Sequence, residues 1–190
     1  MNRHITVVAL RAGLSAAALL LGACHGWLKP AAGDTVAATL PAPDAACRVA
    51  LHTPAPVLSL PGTDAPRRAA RNDDDVDIAQ IHTVNRPLQE IGVWNDQADG
   101  WSVLALTVGS KRARSIAVRL HGVRLPEHSA LWLCSADGER HQGPYTEAPN
   151  GELWTASVAS AQARIEVWTP TATRNEFSAD LTDVYGGYQP

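Results

Sequence analysis

Histidine, serine, the carboxylates and cysteine are the residue types here that could do chemistry, and their spacing narrows the choices. Within residues 72–190, His82, His121, His128 and His141 are the candidate general bases. Serine-protease chemistry needs one of them beside a nucleophile, with an acid to orient it. No serine stands in a G-x-S-x-G or G-D-S-G context. His121, in "RLHGVRL", takes the polar parity of a strand, and His128 lies in the turn "PEHS", so both are expected at the surface. Glycoside hydrolysis needs two carboxylates at a fixed separation. Glu147 and Glu152 flank the loop within "HQGPYTEAPNGELWTASV", residues 141–158, but carboxylates are common in loops and the sequence does not set their separation. There is neither a P-loop nor a dinucleotide fingerprint. "RNDDDVD", residues 71–77, is rich in aspartate but lacks the glycine and terminal glutamate of an EF-hand, so a solvated acidic boundary is expected. With no C-x-x-C and no His pair at ligand spacing, a zinc site is not expected. The chain is therefore expected to be non-catalytic and to need no cofactor.

The N-terminus says where such a chain works. Arg3 and His4 precede a mostly apolar stretch ending in "AGLSAAALLLGAC". It is too short and too rich in small residues for a spanning helix of about 20 apolar residues, and it has the form of a secretory signal. Leu21-Gly22-Ala23-Cys24 resembles a bacterial lipobox. That resemblance implies cleavage before Cys24, lipidation of Cys24, and stable anchoring by several acyl chains. His25 rather than Asp after the cysteine favours the outer membrane. An ordinary signal peptide with an incidental Cys24 is the alternative. The formal charge of −3 grows more negative once residues 1–23, with Arg3 and Arg11, are removed. No basic stripe offers a phosphate footprint, so nucleic acid is not an expected partner. In an oxidising compartment Cys47 and Cys134 could pair; a buried free thiol at Cys134 is the alternative.

These residues must be positioned by strands. Residues 24–71 are Ala/Pro-rich ("LPAPDAA", "HTPAPVLSLPG", "DAPRRAA") and are expected to be a disordered linker or tether, with "RVALH" and "VLSL" as its only short strand segments. From residue 72 the pattern alternates. "SIAVRL" puts Ile116, Val118 and Leu120 on one face; Gly122 breaks the phase, which predicts a β-bulge. "ALWLCSADGE" predicts a strand and an Asp137-Gly138 turn. "ARIEVW" puts Ala163, Ile165 and Val167 together, "EFSADLTDV" puts Phe177, Ala179 and Leu181 together, and "WSVLALTV" is apolar on both parities, as in a central strand. Seven to nine short strands and no long helical stripe predict an all-β fold over residues 72–190, an antiparallel β-sandwich or jelly roll.

Tryptophan is used six times and phenylalanine once. Indoles on a sheet fill cores or stand out as ligand platforms. Trp168 shares its parity with Arg164 and Glu166 and is the one expected to be exposed. Tyr145 and Trp154 are expected to pack against each other across the 141–158 loop, with Gly143-Pro144 ending the preceding strand, so that Trp154→Ala would cost about 3–5 kcal/mol. Tyr145, Trp154 and Trp168 are the candidate binding surface.

Across residues 88–188 the ordered set "WSVLALTVGSKRARSIAVRLHGVRLPEHSALWLCSADGE", "GPYT", "GELWT", "ARIEVWTP" and "VYGGY" resembles the N-terminal pro-region of secreted bacterial serine endopeptidases of the lysyl endopeptidase type. Gly186 stands where that pattern has histidine, and no protease body is included, so no catalytic residue carries over. The resemblance implies a membrane-tethered, pro-domain-like β-sandwich that binds, chaperones or restrains a secreted protease or another exported protein. Its alternatives are a glycan- or cell-wall-binding module, motivated by the tryptophans, and a remnant of a protease precursor.

Overall fold

The computed structural model describes residues 46–62 and 78–189. Cys24, the signal segment and the 71–77 aspartates lie outside them. The described residues form two β-sheets packed face to face, the all-β sandwich that the alternating segments call for. Ten strands are described: β1 (Val57–Leu60), β2 (Ala79–Pro87), β3 (Val93–Asp96), β4 (Trp101–Ser110), β5 (Ser115–Arg124), β6 (Ala130–Ser135), β7 (His141–Tyr145), β8 (Leu153–Trp154), β9 (Gln162–Pro170) and β10 (Ser178–Gly187). A four-residue helix, α1 (Leu88–Ile91), caps one end and buries Leu88. Among the described residues no helix is long and apolar enough to cross a membrane.

The larger sheet runs β1-β4-β9-β6-β7, with β3 also paired to β4. The smaller runs β2-β10-β5-β8. Strand alternation decides what meets between them. Leu104, Leu106, Leu131, Leu133, Ile165 and Val167 face Ile116, Val118, Leu120, Leu181 and Val184 in one continuous core. Gly122 has φ 62° at the phase break, and the β5–β10 register shifts beside it, so Val123 returns to the core after the bulge. A second shift between Leu181 and Asp183 changes the parity of β10, which turns Val184 inward and leaves Asp183 and Tyr185 on the outer face.

The tether boundary needs correction. Residues 46–62 belong to the sandwich: Ala46 and Cys47 are fully buried, and β1 pairs with β4. That pairing is parallel, so among the described strands the pairing is antiparallel except at this edge. Pro and Ala did not keep this segment off the body because its few apolar side chains meet a ready surface. "VLSL" forms the strand and "RVALH" does not.

Gly143-Pro144 also differs from expectation. It lies inside β7, through a cis peptide bond, and does not end the strand. β7 is an edge, where a residue without an N–H leaves no ladder bond broken. A Cβ at Gly143 would stand 2.7 Å from the Leu131 carbonyl oxygen, which is why glycine is needed there.

Candidate functional site

The smaller sheet has one face on the core and one outward, and the outward face gathers the residues with most to offer a ligand. Register sets Thr83, Asp183, Arg119 and Trp154 in a row across all four strands. Ile81 and Tyr185 stand in the adjacent row. β8 has two residues only: Leu153 goes into the core, so Trp154 must point out, and it is 54% exposed. Ile81, on the edge strand β2, is 59% exposed.

Charge and aromatic surface are interlocked on this face. Thr83 Oγ1 donates to Asp183 Oδ1 at 2.9 Å. The Arg119 guanidinium donates to Glu152 Oε1 at 3.0 Å, lies 3.8 Å from Asp183 Oδ2, and sits over the Trp154 ring with Cζ 4.7 Å from the centroid. The Trp154 and Tyr185 rings are 5.6 Å apart and tilted by 34°. His121 Nδ1 lies 3.6 Å from Glu152 Oε1. The Arg119 hydrogen bond and charge hold the Glu152 carboxyl below its ordinary value. Burial, and then the Asp183 carboxylate, push the Tyr185 hydroxyl up. Arg119 is thus held between two carboxylates and lies over the indole ring, so charge and aromatic surface are stacked on this face.

The sequence-derived site residues are not brought together. Trp154 does not pack on Tyr145, because the two belong to different sheets; Tyr145 instead accepts a hydrogen bond from the Ala156 N–H at 2.8 Å. Trp168 is buried, contrary to its parity with Arg164 and Glu166. The outer face of β9 is covered by residues 46–51 together with Trp101 and Trp132, and parity cannot reveal a second cover. There the Trp168 indole donates to Glu166 Oε2 at 2.9 Å, and Glu166 pairs with Arg164 at 2.6 Å. Cys47 and Cys134 are joined by a disulfide on that same face, across 87 residues of sequence. Gly138 makes room for it: φ is 72° at the turn, and a Cβ would stand 2.7 Å from the Cys47 carbonyl oxygen.

The described histidines are dispersed. His128 lies beside Glu127, and His141 packs edge-on against Trp132. His82 is buried with Nε2 3.4 Å from Ser110 Oγ, but that hydroxyl donates to the Pro61 carbonyl at 2.7 Å, so the serine proton is directed away from the imidazole. Glu152 is engaged by Arg119, while Glu147 lines a shallow hollow with Val123, Leu125 and Pro149. No cluster of His, Cys, Asp or Glu among the described residues could hold a metal ion. Sequence reasoning missed Arg119, Tyr185, Asp183 and Ile81; the outward parity of Arg119 in "SIAVRL" was the available signal, whereas the bulge that turns Tyr185 outward left none. No known family model matches the chain, and no curated protein matches it.

Proposed function

We propose that the chain is a non-catalytic envelope module, lipid-anchored through Cys24, that uses the outer face of β2-β10-β5-β8 to dock an exported protein, a secreted protease being the partner class the pro-region resemblance suggests. One observation carries the choice of face: Trp154, Tyr185 and Arg119, the three residue types most enriched in interface hot spots, stand together there with the indole half exposed and Ile81 beside it. The stacked arrangement limits the side-chain entropy lost on binding. The lipobox and signal segment support export and outer-membrane anchoring.

The test is capture from envelope extracts with the full chain and with Trp154→Ala and Arg119→Ala. The reading expects an exported protein retained by the wild type and lost by both variants. Equal retention by all three sends the docking surface elsewhere, and recovery of no exported protein removes the partner claim. A second reading has its own observation: the half-exposed indole of Trp154 would also serve as a stacking platform for a sugar ring. Sedimentation with peptidoglycan and a change in tryptophan emission on adding polysaccharide separate it from the first.

A further inference from the structure

The N-terminal stretch of the sandwich is fastened in two different ways. From Thr53 onward hydrogen bonds hold it. The Asn95 side chain grips Thr53 at both ends, accepting from its N–H at 2.7 Å and donating to its carbonyl at 3.1 Å. Thr107 N–H then donates to the Pro56 carbonyl at 2.8 Å, β1 pairs with β4, and Ser110 Oγ donates to the Pro61 carbonyl. Among the described residues ahead of Thr53 no strand ladder is present. The described fastenings of residues 46–51 are the Cys47–Cys134 disulfide, one hydrogen bond from Arg164 to the Cys47 carbonyl at 2.6 Å, and the apolar contact of Ala46, Cys47, Val49 and Leu51. Arg48 and Ala50 point to solvent, and His52 and Thr53 are exposed at the junction between the two regimes.

The surface beneath is unusual for a permanent core. It joins Trp101, Trp132 and Trp168, with Val103 and Cys134, around the fully buried carboxylate of Glu166. Trp101 and Trp168 meet edge-on with centroids 6.4 Å apart. Among the described residues the buried Trp132 indole N–H has no acceptor. A cover that leaves an indole N–H unmatched and a carboxylate desolvated gains less from closing than an all-apolar lid would.

We propose that residues 46–51 are a redox-released flap, hinged at His52–Thr53, that the Cys47–Cys134 disulfide locks over this second aromatic face. The releasing agent is a dithiol. Its thiolate attacks one sulfur of the disulfide and forms a mixed disulfide while the other cysteine leaves as a thiolate and takes up a proton. The second thiol of the reagent then displaces the remaining cysteine. The reagent ends as a disulfide, and Cys47 and Cys134 end as thiols. Both cysteines are buried, so the attack needs a transient lift of the flap, which the Arg164 hydrogen bond opposes. Once the link is cut, the flap swings about its hinge, three indoles and Glu166 meet water, and the β1 ladder stays in place. The inference is independent of the Trp154 face.

Limited tryptic cleavage and amide hydrogen exchange of the full chain, oxidised and after dithiothreitol, test it, with alkylation under denaturing quench to count free thiols. Reduction should speed tryptic cleavage after the exposed Arg48 at least tenfold, shift tryptophan emission to the red, and leave β5 and β10 as protected from exchange as before. Cys134→Ser should reproduce this without reductant. Arg164→Ala, disulfide intact, should keep the flap closed but shorten the time dithiothreitol needs. Unchanged cleavage after Arg48 and unchanged tryptophan emission once both thiols are free overturn the proposal. So does an equal loss of protection in β5 and β10, which would make the disulfide a support of the whole sandwich. A disulfide that resists millimolar dithiothreitol under native conditions overturns it as well.

Discussion

Glu152-Leu153-Trp154 and Glu166-Val167-Trp168 are the same short pattern in two settings. In each, the middle residue enters the core and the glutamate and tryptophan point outward. In each, an arginine from the same sheet joins the glutamate, Arg119 in the first and Arg164 in the second. The first set faces solvent; the second lies under residues 46–51. One cover reverses the electrostatics. Arg119 holds Glu152 below its ordinary value in the open set, whereas burial pushes Glu166 up in the closed one against the pull of Arg164 and Trp168. Outward parity therefore makes a ligand surface only where nothing else claims the face.

Trp168→Ala should bring the largest change. It removes a buried indole and the donor to Glu166, and should destabilise the sandwich by about 3–5 kcal/mol in a denaturant melt. A loss under about 1 kcal/mol would mean that the flap collapses into the space, and the closed set would no longer differ from the open one.

Acid titration should split the two glutamates by sign. Glu166 has a folded-state value above its ordinary 4.5, so its contribution is fully present below the unfolded value and is lost as pH rises through the folded one. Glu152 has a folded-state value below 4.5, so its contribution is present above the unfolded value and is lost as pH falls through the folded one. Glu166→Gln should therefore gain on the wild type as pH rises through and above 4.5, and Glu152→Gln should lose ground as pH rises toward 4.5. Midpoints of urea unfolding between pH 3 and pH 7 (roughly the window in which carboxylates titrate) read both trends. Parallel slopes would erase the electrostatic difference between the sets.

What the sequence disclosed follows from the range of each signal. Period-two alternation is local, so "SIAVRL", "ARIEVW" and the Gly122 phase break were legible and correspond to β5, β9 and a bulge. The burial of Trp168 depends on a segment more than 100 residues away, and no local pattern records that. Composition misled over residues 46–62 for the same reason: Ala and Pro describe the chain's own preference, and Cys134, Asn95 and β4 override it. The candidate site was half legible. The loop pattern singles out Trp154 but pairs it with Tyr145, and adjacency along a loop is not adjacency in space where the loop crosses between sheets.

The smallest effect on stability is expected at Trp154, and it is the most informative about function. Exposed substitutions away from special features shift stability by only about 0.5 kcal/mol, and the lost ring contacts with Arg119 and Tyr185 are solvent-screened, so Trp154→Ala should cost less than about 1 kcal/mol. If this indole is an interface anchor, the same change should weaken partner binding by about 2 kcal/mol, or about 30-fold. The two measurements move apart only when a side chain is displayed for something outside the molecule. A Trp154→Ala variant that loses several kcal/mol in a melt would place the indole among the structural tryptophans with Trp168. One that loses neither stability nor partner would leave the open face without a purpose, and would turn attention to the closed one.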